Sequence, residues 1–196
     1  MLLFGHLGIT LGIFFGLVFF APRLRTIIDP RFLAIGALLP DLVDKPIGRI
    51  IFASSVANGR IIGHTLLFSC LLLLIGLYLY EKRRDIKVIA LATGSFFHLF
   101  EDQMWAQPRT FFWPLHGLSF PRDHTDYSGL EYLLKMFEQS FQPGFSGIHM
   151  PEIIGMGILV IFCLKALYNF WKKRGNVAKW NEAVKQPRFL QLFESF

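Results

Sequence analysis

The chain has 196 residues, 53% of them hydrophobic, with 22 Phe and a formal net charge of +6, and its mean hydropathy is +0.45. Soluble domains reach about 45–50% apolar residues only when Gly is counted, so composition argues against a soluble fold and for a membrane protein. The positive excess lies in short clusters beside apolar runs, where anionic lipid suffices as partner, and no nucleic acid is called for.

Taken in order, Leu2–Phe20 is the first run that approaches the roughly 20 apolar residues a bilayer core requires. No positive charge precedes it and no small-x-small cleavage site follows, so it is read as a retained helix rather than a signal peptide. Gly8, Gly12 and Gly16 form a G-x-x-x-G ridge on it, a pattern for close helix packing. Phe32–Leu39 is too short to span, and a helix breaking at Pro40, where it lines a polar cavity, is expected. Ile61–Tyr80, Ile86–Trp105 and Pro151–Trp171 are three further runs. Tyr127–Phe141 sets Leu130, Leu133, Leu134, Phe137 and Phe141 opposite Glu131, Lys135 and Glu138, the pattern of an interfacial amphipathic helix.

These elements predict an all-α polytopic membrane helix bundle of about five membrane segments, one of them partial. No repeat or linker divides it, so residues 1–175 form one domain, followed by a basic cytoplasmic tail, 176–196. Cys70 and Cys163 stand singly in apolar runs and are read as packing residues. Basic residues cluster after the first run (Arg23, Arg25, Arg31), after the third (Lys82, Arg83, Arg84, Lys87) and after the last (Lys172, Lys173, Arg174). The positive-inside rule then puts the N-terminus outside and the C-terminus in the cytoplasm.

Ionisable residues inside apolar runs cost a few kcal/mol each and persist mainly where they pair, line water or bind something. His98, Glu101 and Asp102, in "HLFEDQMW", share one helix face: at about 100° per residue, Asp102 falls about 40° from His98 and Glu101 about 60° to the other side. A His followed four residues later by Asp can hold one metal ion, or it can simply staple two helices. The other intruders lie at the same end. At 1.5 Å per residue, His6 is about 25 Å from Arg23 and His64 about 25 Å from Glu81, so these segments, with Asp41, deliver their polar groups to one level. Three imidazoles with two or three carboxylates suit zinc, and manganese or iron next; haem would leave the carboxylates unexplained.

The motifs "FGHLGIT", "GALLPDLVD", "GRIIGHTLLFS", "HLFED" and "FFWPLHG" resemble those of the YdjM-like membrane-bound metal-dependent hydrolases, considered relatives of zinc-dependent phospholipase C and the zinc single-strand nucleases. The resemblance covers roughly residues 1–122. It implies one metal bound by Asp41, His64, His98 and Asp102 and a second that shares Asp102 with His6, most simply two Zn2+. Two departures stand out: Asp44 follows Asp41 by three residues where the family more often has two, so it is not counted as a ligand, and Gly59 replaces a common His. A third metal has no clear ligands unless His116 contributes; His116 completing the second metal, or merely sitting at the interface beside Trp113, both remain open.

The resemblance further implies hydrolysis of a phosphate ester of a membrane lipid by a metal-activated water near the outer surface. Asp41 or Glu101 would move the proton, and Arg60 would neutralise a phosphoryl oxygen. Two other readings stay open: a cation or proton transporter using the His/Asp cluster, and a metal-stabilised membrane protein without turnover. Asp123, His124 and Asp126 are read as a solvated turn, His149 and Lys165 as bystanders.

Overall fold

The computed structural model describes residues 3–52, 56, 58–122, 131, 134, 135, 138 and 149–184, with backbone alone at 149 and 175–184. Among these residues every regular element is helical: α1 (Leu3–Phe20), α2 (Leu24–Ile27), α3 (Pro30–Pro46), α4 (Leu66–Arg83), α5 (Lys87–Glu101), α6 (Pro108–Phe111) and α7 (His149–Val184). The chain divides into two compact units, Met1–Gly157 and Ile158–Phe196. In the second unit α7 exposes Val160, Ile161, Leu164, Leu167, Tyr168, Phe170 and Trp171. Apolar residues on all sides of a helix mark a membrane span. Among the described residues two helices, Leu3–Phe20 and Met150–Arg174, are long and apolar enough to cross a bilayer. The other expected spans fall short by that measure: α5 has 15 residues, about 22 Å at 1.5 Å each, and α4 ends in Glu81, Lys82 and Arg83.

Three expected boundaries move, each for a local reason. Asp29 caps α3 by accepting the Arg31 N–H (2.9 Å) and Pro30 occupies the first turn. The helix does not break at Pro40. It runs on to Pro46 and then into a π turn, Ile47–Ile51. A proline in a helix interior costs about 3 kcal/mol; here the buried face of Leu33, Gly36, Ala37, Pro40 and Asp44 offsets that loss. Asp41 and Asp44 therefore sit on a helix rather than beyond one. The run expected from Ile61 becomes helical only at Leu66, where Thr65 accepts the Phe68 N–H (3.0 Å), so His64 lies in a turn ahead of α4. The run expected to end at Trp105 stops at Glu101; Gln103 takes a left-handed φ of 51°, and Met104–Ala106 forms a 3-10 turn.

In the first unit α3 packs along α5, with α1 against both and α4 against α5. The α3–α5 crossing is as close as backbones allow: a Cβ on Gly94 would meet the Leu33 carbonyl and the Ala37 nitrogen, and one on Gly36 the Leu91 carbonyl. Ser69 and Ser95 pair at 3.2 Å between α4 and α5, a buried hydroxyl contact that ties the two helices together. Of the predicted ridge on α1, Gly8 makes a close approach, to Gly155 of α7, while Gly16 faces open space. Beside that approach, buried Glu152 of α7 accepts the Gly5 N–H (3.0 Å), one of the orphan donors at the start of α1. Cys70 and Cys163 are exposed on outward faces rather than packed inside. Most of the Tyr127–Phe141 segment, Asp123, His124 and Asp126, and residues 185–196 lie outside the described residues; α7 runs without a break across residue 175.

Candidate metal centre

His6, His64 and His98 are fully buried, and each ring is held by its Nδ1. The His98 Nδ1–H donates to the Ala37 carbonyl (2.7 Å). That of His64 donates to Asp44 Oδ2 (2.7 Å), and that of His6 to Glu101 Oε2 (2.8 Å). Carbonyls and carboxylates only accept, so these partners fix the tautomer and leave a lone pair on each Nε2. The three Nε2 atoms turn inward. Those of His64 and His98 stand 3.1 Å apart, the rings of His6 and His98 stack with centroids 3.8 Å apart, and the buried His6 Nε2 has no hydrogen-bond partner.

Carboxylates close the centre. Asp41 Oδ1 lies 3.6 Å from His64 Nε2 and 3.9 Å from His98 Nε2. Asp102 Oδ1 lies 3.3 Å from His6 Nε2, and its Oδ2 3.9 Å from His64 Nε2. Two overlapping groups result, Asp41–His64–His98 and His6–His98–Asp102, with ligand atoms within 4.8 Å of one another in each. Zinc with bonds near 2.0–2.1 Å separates tetrahedral ligand atoms by about 3.3 Å, and the 3.1 to 3.6 Å spacings of the closest pairs match that edge. The donor set fits a divalent ion: converging ring lone pairs repel one another unless a cation or a proton lies between them.

The surrounding groups orient these donors. Asp44, fully buried, accepts four N–H donors: Ile61 (2.6 Å), Gly63 (2.7 Å), His64 backbone (3.1 Å) and His64 ring. That fold of the loop onto α3 admits only Gly at 63, where a Cβ would stand 2.9 Å from the Pro40 carbonyl and 3.1 Å from Asp44 Oδ1. Glu101 also accepts the Thr10 hydroxyl (2.9 Å), which ties α5 to α1 around His6. Lys45 holds Asp41 Oδ2 (2.6 Å), turning Oδ1 to the histidines. Arg60 reaches Asp102 Oδ2 through Nη2 (2.7 Å) and Nε (3.0 Å).

Of the residues expected at the site, the structure thus brings together His6, Asp41, His64, His98 and Asp102, with Glu101 and Arg60 beside them. His116 stands outside both groups, exposed, its ring 6.0 Å from that of Phe112. Sequence reasoning weighed Asp44 only as a ligand and passed over Thr10, Lys45 and the Ala37 carbonyl. Asp44 offered a signal: an acid one turn after Asp41 on a helix shares its face. A backbone carbonyl offers none.

Family comparison covers more of the chain than the motifs do. The model described as YdjM inner membrane protein matches residues 1–176. No curated protein and no solved structure matches.

Proposed function

We propose, for a chain that belongs to the YdjM inner membrane protein family, the function of a metal-dependent hydrolase that cleaves a phosphate ester of a membrane lipid. The observation that carries this reading is the convergence of three imidazole Nε2 atoms, each with its Nδ1 fixed by an oxygen, on the oxygens of Asp41 and Asp102. Such backing of the ligand histidines is how metal sites set tautomer and ring orientation.

His64, His98 and Asp41 would hold one ion and His6 a second. The two groups overlap at His98, but an imidazole nitrogen has one lone pair and serves one ion. A carboxylate has two oxygens, so Asp102, near His6 with Oδ1 and near His64 with Oδ2, would help to hold both ions. Bound divalent ions, two Zn2+ in this reading, supply an activated water and positive charge for phosphoryl oxygens. The protein's own part is to position. Glu101 and Thr10 hold His6, Asp44 holds His64, and Lys45, bonded to one oxygen of Asp41, keeps the other turned inward as the ligand oxygen. Arg60, half-exposed and on Asp102, is within reach of a substrate oxygen.

In this reading α3, α4 and α5 also lie in the bilayer. The outward Leu67, Leu71, Leu74, Ile75 and Leu77 of α4 support that. The basic clusters support an N-terminus outside and a cytoplasmic C-terminus, with the centre just beneath the outer surface.

Elemental analysis of the purified protein, followed by turnover of phospholipids with and without chelator, tests the proposal. About two zinc ions per chain and chelator-sensitive release of a headgroup or phosphate are expected. Bound metal without turnover of any lipid would leave a metal-stabilised protein, and metal-dependent cation flux in vesicles would favour transport.

A further inference from the structure

Next to the cluster, on the far side of Arg60, opens a cavity of about 350 Å³. Among the described residues its lining includes the guanidinium residues Arg49, Arg60 and Arg122 and the carboxamides of Asn58 and Gln107, and no acidic side chain. Asn58 organises it: its Nδ2 donates to the Pro121 carbonyl (2.7 Å) while its Oδ1 accepts the Arg60 backbone N–H (2.9 Å). The turn that carries Arg60 is thereby tied to the segment that carries Arg122. Arg60 is the shared wall, since the same guanidinium that lines the cavity is bonded to Asp102.

We infer that this cavity is a receptor for a net-anionic phosphate group, a phosphomonoester or diphosphate borne on a lipid, and that it selects against zwitterionic headgroups. Guanidinium forks match phosphate oxygens two at a time, and carboxamide N–H groups add donors that do not titrate. A quaternary ammonium in the same place would face guanidinium groups, and among the described lining residues it would meet no carboxylate. The volume is at the lower end for ligand pockets, the size of a headgroup rather than of acyl chains. A second cavity of about 320 Å³ shares Gln107 and Pro121 and is walled by Pro108, Arg109 and Thr110, which gives the glycerol end of a lipid a place to continue. The inference deepens the hydrolase reading and rests on it for the role of the bound phosphate, but binding can be measured without turnover.

The test uses the full-length protein in detergent with its metal bound and measures calorimetric affinity for three probes. They are the phosphonate analogue of dihexanoyl phosphatidic acid, whose C–P bond resists hydrolysis, dihexanoyl phosphatidylcholine, and inorganic phosphate. The phosphonate should bind at least tenfold more tightly than the choline lipid, and Arg122→Gln, an exposed position, should remove about tenfold of that affinity with metal content unchanged. Metal ions alone would also favour the phosphonate, so the Arg122 dependence decides. An unchanged phosphonate affinity in Arg122→Gln, or equal binding of the two lipids, overturns the receptor. Inorganic phosphate binding as tightly as the phosphonate overturns the lipid source. Arg122-dependent binding without any lipid turnover would sink the hydrolase reading alone.

Discussion

Asp44→Asn separates holding a ligand from being one. Oδ2 of Asp44 takes the N–H groups of Ile61 and His64 and the His64 ring, and Oδ1 takes Gly63. An isosteric amide keeps the majority by setting its oxygen in the Oδ2 place, and its NH2 then faces the Gly63 N–H. One buried donor left without an acceptor costs about 1–3 kcal/mol, and the surviving bonds lose the charge that makes carboxylate acceptors about twice as strong. The His64 ring would then sample other orientations. Loss of an outer partner of this kind lowers metal affinity by about 10–100-fold, or about 1.4–2.7 kcal/mol. Competition of the purified protein with a chromophoric chelator measures that shift, and thermal unfolding in detergent measures the stability cost. Unchanged zinc affinity together with an unchanged melting temperature would refute the idea that Asp44 sets His64. Loss of one whole ion at saturating zinc would make Asp44 a ligand.

Other variants probe the remaining contacts. Asp102→Asn should lose most bound metal and all hydrolysis while circular dichroism still reports a folded helical protein; full metal occupancy in it would refute the bridge. Glu101→Gln keeps one acceptor for His6 but not the charge, so turnover should fall at least about tenfold with metal retained at saturation, and elemental analysis showing one ion missing would make Glu101 a ligand. Gly94→Val forces side-chain atoms onto the Leu33 carbonyl and Ala37 nitrogen and should destabilise by more than about 2 kcal/mol, read as a lower melting temperature; wild-type stability would show that α3 and α5 do not cross there. For topology, single cysteines at Asn58 and Gly175, in a chain without Cys70 and Cys163, should be labelled by an impermeant thiol reagent on intact cells at Asn58 only. Labelling at Gly175 only would put the centre at the cytoplasmic face.

The sequence alone determined the membrane class, the helical runs and the residue types of the centre. Those are local properties: hydropathy over a run of residues reports the solvent the run prefers, and His6, His64, His98 and Asp102 are conspicuous because each interrupts such a run at its own cost. The family was legible in the same residues, since the order of His and Asp along the chain survives without any knowledge of the fold. The tertiary structure decided the boundaries and the partners. Pro40 reads as a helix end by local rules, yet α3 continues through it because its face is buried on α5. His64 leaves the helix its apolar neighbours suggest because Asp44, 20 residues away, draws in the backbone N–H groups of Ile61, Gly63 and His64. Glu101 bonds His6 across 95 residues and His98 finds the Ala37 carbonyl across 61. The His98–Ala37 pairing depends on how closely two backbones approach, and that distance is set at Gly36 and Gly94, where the missing side chains matter only once α3 and α5 face each other.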